Sequence, residues 1–504
     1  MCYTMRQLQS GLSRVYRTLK ENNMVHGNVR KLAFLTAAMG TLIASQAMAA
    51  DLTDVLDAAD EVYLGNELVS DPFDISLTPK FSQRHEWAKL KREYYEGSTK
   101  QMRLLNELEY KRVVNEFDID LEIGMFHDLS FRMGIPIIIS DQASYKFDTS
   151  SDKPEFQINR TNSWFSPEHT NPLTPYRFFD LKEGETLKGR DRSGLGDMTF
   201  GIAWSPYNTE RHFIPERPWE GNTGRSTVTL AFDYKAPTGK MRKIDNSGAG
   251  NGAHELIFSV AASHRFAFVD PYIRLQYGLP IGTDSAYPEY GANQTRVDPG
   301  MWGRIDLGIE FIPYESIAKD FQRFVKIDLR GYFKYTGEGR AYSELADAFG
   351  KGNCYQTDGS DPACAWVSNK WSNAGADNIA AVANGTYTGM YKEDGLFDYE
   401  GFGAIGGALN LTIQPIQYIS IIAGVAVDYE QNHFITFTKL GKDRHTFNKT
   451  GELTGEGKKD GLITENAIEE RNPTYSKALD AVGSRIKRVE SVNLEWFVGL
   501  KLMY

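Results

Sequence analysis

The last twelve residues of the chain, NLEWFVGLKLMY from Asn493 to Tyr504, alternate between two kinds of side chain. In an extended strand, every second side chain points to the same face. One face of this segment is wholly apolar or aromatic, and it consists of Leu494, Trp496, Val498, Leu500, Leu502 and Tyr504. Because soluble domains usually end in a polar, frayed tail, this pattern predicts a strand whose apolar face needs a non-aqueous surrounding.

The same period of two recurs along the chain and predicts twelve strands. In FDIDLEIGM, the apolar residues from Phe117 to Met125 alternate with Asp118, Asp120, Glu122 and a glycine. The predicted strands cover residues 73–81, 117–125, 129–139, 198–205, 227–235, 255–263, 272–281, 303–312, 324–335, 399–413, 418–430 and the terminal segment. The segment HEWAKLKREYY (85–95), which follows the first strand, is compatible with a helix as well as with a strand.

The connections between these strands alternate between short and long. Short ones such as FHD, AFV and QPIQ join one set of strand ends, whereas the other set is joined by long segments, the largest near 141–193, 337–395 and 438–487. Bacterial outer-membrane barrels have short periplasmic turns and long extracellular loops. We therefore expect residues 72–504 to form an all-β, transmembrane, antiparallel up-and-down barrel of about twelve strands with both termini in the periplasm. A secreted β-sandwich is the alternative, because period two does not say which way the apolar face points.

The first fifty residues have the features of an export signal. Arg30 and Lys31 precede the apolar run LAFLTAAMGTLIA, and Ala47 and Ala49 form a small-residue cleavage site. We predict a signal peptide over residues 1–49, with Met24 as an alternative start. A membrane anchor is the competing interpretation, but the run is short for the ~30 Å of a bilayer core.

Composition narrows the classes of partner. The chain carries 56 basic and 66 acidic residues, for a net charge of −10, and it has 46 glycines. An acidic exported protein without a basic stripe is a poor nucleic-acid binder, so no nucleic acid is expected. The expected partners are outer-membrane lipid and lipopolysaccharide, the barrel assembly machinery and a small-molecule solute.

Two further segments carry predictions. Cys354 and Cys364 lie ten residues apart in a loop rich in Gly, Asp and Pro, and an oxidising compartment favours a disulfide between them. Residues 50–71 form either a plug inside the barrel or a short periplasmic helix, since Leu52, Val55 and Leu56 would share one helical face.

The residues between the apolar ones are candidates for the lining of a pore. They are Asp118, Asp120, Glu122, Arg132, Arg274, Arg304, Asp306, Glu310, Lys326, Asp328, Arg330 and Lys334. One interpretation is a polar pathway whose acidic and basic walls orient a solute. The other is an interior held together by cross-strand ion pairs.

Catalytic and cofactor motifs are absent from the sequence. There is no G-x-S-x-G and no H-E-x-x-H, and no His/Cys cluster has the spacing of metal ligands. A membrane-embedded hydrolase would have to use Ser259, Ser263 and His264, but Ser263 and His264 are adjacent and face opposite ways. We therefore expect no enzyme, no metal and no cofactor.

Several short motifs resemble a known family. GLGDMTFGIAW (194–204), DYKAPTGK (233–240), the hairpin EIGMFHDLSFRMGIPI and the exit GLPIGT are similar to the outer-membrane transporters named for the meta-pathway of phenol degradation. The resemblance spans roughly residues 117–313. It implies a barrel that helps small, often hydrophobic or aromatic, molecules to cross the outer membrane, and it supplies no binding residues.

The end of the chain also resembles a known signal. A terminal strand with Trp496, Leu500, Leu502 and a final Tyr504 is similar to the signal that the barrel assembly machinery reads. The leading hypothesis is passive passage of small solutes, and the alternative is a surface barrel whose long loops engage polysaccharide or a partner protein.

Overall fold

The computed structural model describes a barrel of twelve long strands. The described residues are 61–64, 67–70, 75–126, 128–148, 186–209, 224, 226–243, 246–289, 294–318, 321–343, 345–350, 395–416, 418–440, 446–447, 453–454, 472, 474–475 and 477–503. The barrel strands are β1 (Ile75–Glu96), β2 (Gln101–Phe126), β3 (Leu129–Phe147), β4 (Thr199–Asn208), β5 (Ser226–Lys235), β6 (Ala253–His264), β7 (Val269–Gly282), β8 (Trp302–Ala318), β9 (Phe321–Thr336), β10 (Phe402–Ile416), β11 (Ile419–Glu430) and β12 (Ile486–Met503).

The sheet is antiparallel throughout and closes on itself. Each strand pairs with its neighbours in sequence, and β12 pairs with both β11 and β1. Val498 of β12, for example, lies opposite Ala423 on one side and Phe81 on the other. Closure satisfies the backbone hydrogen bonds of the first and last strands, and the prediction of a twelve-stranded up-and-down barrel is confirmed.

The two ends of the barrel differ in their connections. At one end, here called the turn end, short segments join β2 to β3, β6 to β7, β8 to β9 and β10 to β11. At the other, the loop end, long segments occupy 148–198, 236–252, 283–301, 337–401 and 431–485. The first hairpin departs from this rule, since β1 and β2 meet in a turn at residues 97–100 at the loop end.

The helical interpretation of HEWAKLKREYY is wrong, because this segment continues β1. Strand β1 has 22 residues and β2 has 26, whereas about ten are enough to cross a bilayer. At ~3.3 Å per residue, β1, β2 and the top of β3 rise well beyond the rest of the barrel. Cross-strand pairing fixes this structure, since Trp87 lies opposite Lys111 and Tyr95 lies opposite Met102.

The outer surface of the barrel carries a continuous apolar belt. One hydrogen-bonded row of outward residues runs Trp204, Leu230, Val260, Leu275, Ile305, Phe333, Ile405 and Tyr429. All eight side chains point away from the interior of the barrel, and all are exposed. With strands ~4.8 Å apart and tilted by ~40°, such a row climbs ~3 Å per strand from the turn end to the loop end. Exposed aromatic residues mark both rims of the belt, namely Trp204, Tyr207 and Tyr418 at the turn end, and Tyr277, Tyr335 and Tyr429 at the loop end.

The alternation of polar and apolar side chains inverts in the raised part of β1–β3. Within the belt, Phe81 points outward and Lys80 points inward, but farther up Lys89 points outward and Leu90 is fully buried. Leu90, Leu108, Tyr110 and Tyr145 form a hydrophobic core inside the raised wall, together with residues from the loops. This inversion is expected where the medium outside the barrel changes from apolar to water.

Smaller elements lie outside the twelve-stranded ladder. Three short strands extend the main sheet: β3 pairs with Leu187–Lys188 and Arg192–Leu195, and β12 pairs with His433–Phe434. Three separate two-stranded sheets consist of Gly339–Tyr342 with Leu396–Tyr399, Thr446–Phe447 with Leu453–Thr454, and Glu61–Leu64 with Glu67–Ser70. Within the described ranges, the helices are α1 (Leu345–Gly350) and α2 (Lys477–Asp480). No helix of the described part is long and apolar enough to span a membrane.

Several predictions concern residues outside the described ranges. These are the signal peptide, most of the predicted N-terminal helix, the cysteines Cys354 and Cys364, and Tyr504. In the described part of this segment, Glu61–Leu64 is a strand that pairs with Glu67–Ser70.

Candidate functional site in the barrel lumen

All twelve candidate lining residues lie on the inward face of the barrel, and most of them contact a charge of opposite sign. The pairs are Arg132–Glu122 at 3.2 Å, Arg274–Asp306 at 3.0 Å, Arg304–Asp306 at 2.7 Å, Lys326–Glu310 at 3.9 Å, Arg330–Asp328 at 4.0 Å, and Asp118 with Lys80 at 3.2 Å. Lys334 lies over the ring of Trp302, 4.9 Å from its centroid. Ion pairs, four of them between neighbouring strands and two within a single strand, therefore account for much of the charge inside the barrel.

The wall formed by β7, β8 and β9 is the most tightly connected. Asp306 has no exposed surface, and it accepts hydrogen bonds from both Arg274 and Arg304. The guanidinium of Arg304 also lies 4.1 Å from the ring centroid of Tyr332. One shared carboxylate thus holds two guanidinium groups in place, which fixes the positions of positive charges on this wall.

The wall formed by β1–β3 carries a ladder of acids. Glu116, Asp118, Asp120 and Glu122 follow one another on the inward face of β2. Asp120 is exposed within the lumen, and Glu122 accepts a hydrogen bond from Ser130 at 2.6 Å. Acidic and basic walls therefore face each other across the barrel, so a solute with a dipole would be oriented there.

A cavity of about 560 Å³ lies toward the loop end of the lumen. Its basic lining residues are Arg84, Arg112, Lys235, Arg242 and Lys334, its acidic ones are Glu116, Asp197 and Glu255, and its aromatic ones are Tyr287, Trp302, Tyr342 and Tyr399. Two of the acids are engaged, since Asp197 accepts backbone N–H groups and Glu255 accepts the Trp302 indole N–H. The space is large enough for a small organic molecule.

An arginine cluster forms one side of this cavity. Arg112 donates to Asp141 at 2.6 and 2.8 Å and to Glu86 at 3.1 Å, while Arg242 binds Asp141 at 2.8 Å and Arg84 binds Glu86 at 3.2 Å. Three guanidinium groups of the cavity wall therefore share two carboxylates, and a fourth, that of Arg488, lies 3.8 Å from Glu86. Burial, followed by the positive charge of Arg112, lowers the pKa of Arg242 to about 10, against the opposing effect of Asp141. Arg242 remains charged at neutral pH, so the cluster attracts anions.

The loop at 236–252 folds inward and brings Arg242 to the cluster. Asp197 accepts the N–H of Gly239 at 3.1 Å and the N–H of Asn251 at 2.7 Å, which ties both ends of the loop to one carboxylate. A Cβ at Gly250 would come within 2.5 Å of the carbonyl oxygen of Gly239 and within 2.7 Å of Asp197. Glycine is therefore required at position 250 for the loop to pack this closely.

The loop end above the cavity is filled by packed protein, here called the plug. It consists of Gly339–Tyr342, α1 and Leu396–Tyr399, and its Leu345, Ala346 and Phe397 join the hydrophobic core of the raised wall. Two buried ion pairs hold it: Arg192 binds Asp347 at 2.7 Å, and Arg340 binds Asp398 at 2.8 Å. Tyr342 and Tyr399 of the plug also line the cavity, so the plug forms part of the cavity wall.

Several of these residues were not among the sequence candidates. Arg84 and Glu86 lie in or beside the segment whose helical interpretation was wrong, and Asp141 and Arg242 lie in segments predicted to be loops. A usable signal was present, since Arg84, Glu86, Ala88 and Leu90 keep the period of two while their polarity changes. Loop contacts such as Arg192–Asp347, 155 positions apart, leave no such signal.

The three residues considered for a hydrolase do not converge. Ser259 accepts a hydrogen bond from Gln276 at 3.2 Å, and Ser263 is buried on the inward face. His264 faces the other way and contacts Ser226 Oγ at 3.1 Å. In the described part of the chain, no group of three or more His, Cys, Asp or Glu side chains is placed to hold a metal ion.

No protein-family model and no curated protein matches this sequence. Among solved structures, the COG4313 outer membrane channel from Pseudomonas putida F1 is similar over 84% of this chain and 95% of its own, with 9% identity and a TM-score of 0.34. A FadL homologue from Pseudomonas aeruginosa is similar over 85% of this chain and 90% of its own, with 8% identity and a TM-score of 0.27. The outer membrane protease OmpT from Escherichia coli is similar over 85% of this chain and 97% of its own, with 8% identity and a TM-score of 0.25. The fold is established by the closed ladder of strand pairs described above.

Proposed function

We propose that this barrel spans the bacterial outer membrane and lets small solutes pass down their concentration gradients. The observation that carries the proposal is the arrangement of side chains in the belt, with an apolar surface outside and charged walls around a cavity inside. A closed barrel with this polarity is the form in which strands cross a bilayer. The long loops would then be extracellular, and both chain ends would be periplasmic.

The cavity supports a preference for solutes that combine a negative charge with a ring. Three arginines share two carboxylates on one side of it, and Lys235 has no ion pair with another described residue. Trp302, Tyr287 and Tyr399 add aromatic faces. The resemblance of the sequence to the phenol meta-pathway transporters agrees with solutes that contain a ring.

Conductance of the purified protein in planar bilayers tests solute passage. We expect small channels whose reversal potential in a potassium chloride gradient favours chloride. Lys235→Glu should shift the reversal potential toward cation preference, because it reverses a charge on the cavity wall. Lys240→Glu is the matched control, since Lys240 is exposed on the neighbouring loop and does not line the cavity.

Background conductance, both for the intact protein and for a variant with a weakened plug, would contradict a channel. It would favour the alternative of a surface barrel whose loops engage a partner. An unchanged reversal potential in Lys235→Glu would contradict only the preference for anions and would leave solute passage standing.

A further inference from the structure

The outer wall of the raised strands carries a basic surface directly above the apolar belt. One row of outward residues runs from Trp87 of β1 to Lys111 of β2, Ser144 of β3 and Lys188 of the added strand. The next row up runs Lys89, Glu109 and Lys146. These two rows are here called the lysine wall.

The charge of the lysine wall contrasts with that of the whole chain. The protein has a net charge of −10, yet four lysines and one glutamate meet on this face. Lys146 binds Glu109 at 2.6 Å, and Lys89 binds Glu490 at 3.1 Å. Lys111 is exposed and has no charged partner among the described residues. Lys111 therefore keeps a positive charge that no described residue neutralises by an ion pair.

The height of the lysine wall follows from the slope of the hydrogen-bonded rows. The row of Lys111 is the continuation of the belt row that ends at Tyr429, through Val492 and Trp87. At ~3 Å of rise per strand, Lys111 lies ~9 Å and Lys188 ~15 Å above the aromatic rim at Tyr429. Phospholipid head groups extend only ~5–8 Å beyond the hydrocarbon core. The lysines thus lie at the depth of phosphates that are carried on sugars projecting from the membrane.

The rows between the belt and the lysines suit the sugars of such a lipid. Above Phe81 and Phe117 come Gln83, Asn115 and Ser140, followed by His85, Val113 and Gln142. Trp87 is 37% exposed and stacks on His85 at 5.5 Å. Amide and hydroxyl groups beside an exposed indole can contact sugar hydroxyls and sugar faces, while the acyl chains lie against the belt.

We propose that the lysine wall binds a phosphorylated glycolipid of the outer leaflet, with Lys111 and Lys188 holding one phosphate between them. Their Cα atoms are two strands apart, or ~10 Å, and Ser144 lies between them. Ammonium groups at this spacing reach a single phosphate from both sides. The site rests on the membrane placement proposed above, but not on the passage of solutes.

Binding of rough-type lipopolysaccharide to the purified full-length protein in detergent tests this site. The probes are the phosphorylated lipopolysaccharide, the same material with its phosphates removed, and phosphatidylglycerol. Lys111→Gln/Lys188→Gln should weaken binding of the phosphorylated form about tenfold to thirtyfold, because each lysine near a charged lipid surface contributes substantially. Raising the salt concentration should shrink this difference.

Lys100→Gln/Lys240→Gln is the matched control, because both lysines are exposed and lie outside the lysine wall. Equal binding of the dephosphorylated lipid, equal binding of phosphatidylglycerol, or full competition by millimolar inorganic phosphate would each overturn the assignment. An unchanged affinity in the double variant would overturn it as well. Channel conductance of the double variant should equal that of the intact protein, which separates this site from the proposed function.

Discussion

Replacing two neighbouring residues of β11 by lysine tests whether lipid surrounds the barrel. Val425 points outward between Leu409 and Trp496, near the middle of the belt, whereas Ala426 points into the lumen beside Glu495. A lysine on the lipid face near the bilayer centre costs about 2–4 kcal/mol. Val425 is 38% exposed, so loss of its contact with lipid adds up to about 1 kcal/mol.

Val425→Lys should therefore lower the free energy of unfolding by about 2–5 kcal/mol, and Ala426→Lys by less than about 1 kcal/mol. Urea unfolding in lipid vesicles, followed by tryptophan fluorescence, measures both, and Trp496 lies directly opposite Val425. Equal costs for the two variants, or a neutral Val425→Lys, would refute the argument, because water around the barrel would accept a lysine at position 425 readily.

Three further perturbations address the plug, the inward loop and the charged groups around Glu338 at the loop end. Asp347→Ala should lower the free energy of unfolding by about 3–5 kcal/mol, because it leaves Arg192 buried without its carboxylate partner. The same substitution should raise the single-channel conductance. Unchanged conductance would show that the plug does not limit the flow of ions. Gly250→Ala should lower thermal stability by about 1–3 kcal/mol through overpacking, while Gly97→Ala, where a Cβ meets nothing within 4 Å, should be neutral. The hydrogen bond from Lys439, followed by that from Arg296, lowers the pKa of Glu338 below its ordinary value of 4.5. The stabilisation by the charged Glu338 carboxylate is therefore complete above pH 4.5 and is lost as the pH falls through the lowered pKa. Glu338→Gln should lower the free energy of unfolding by at most about 1 kcal/mol, because these groups are half-exposed. This difference between the variant and the parent should vanish at low pH.

The lumen contains both a wall of fixed ion pairs and a region of open space. Asp306 and its two arginines form a fixed wall, whereas Arg84, Arg112 and Arg242 border open space. Fixed charges at a cavity wall need no rearrangement when a solute arrives, so the ion pairs that stabilise the barrel also set its electrostatic field.

The number of strands could be predicted from the sequence because every strand of the belt presents one apolar face to the outside of the barrel. Where a strand crosses the belt, each second residue must be apolar, as in Leu494 to Leu502, and this pattern needs no knowledge of the partner strand. Aromatic residues such as Trp204 and Tyr335 could be placed at the rims for the same reason.

The pattern stops being informative where β1–β3 leave the belt. There Leu90 and Tyr110 are inside and Lys89 and Lys111 outside, so polarity inverts while the period stays at two, and the segment 85–95 also fitted a helix. The lining of the cavity depends on long-range contacts such as Arg242–Asp141 and Arg192–Asp347. Alternation is local, so the sequence alone determined the strands and their two faces, whereas closure of the barrel rests on the pairing of β12 with β1. The plug, the arginine cluster and the lysine wall arise from residues that only the register and the inward-folded loops bring together, so the tertiary structure decided them.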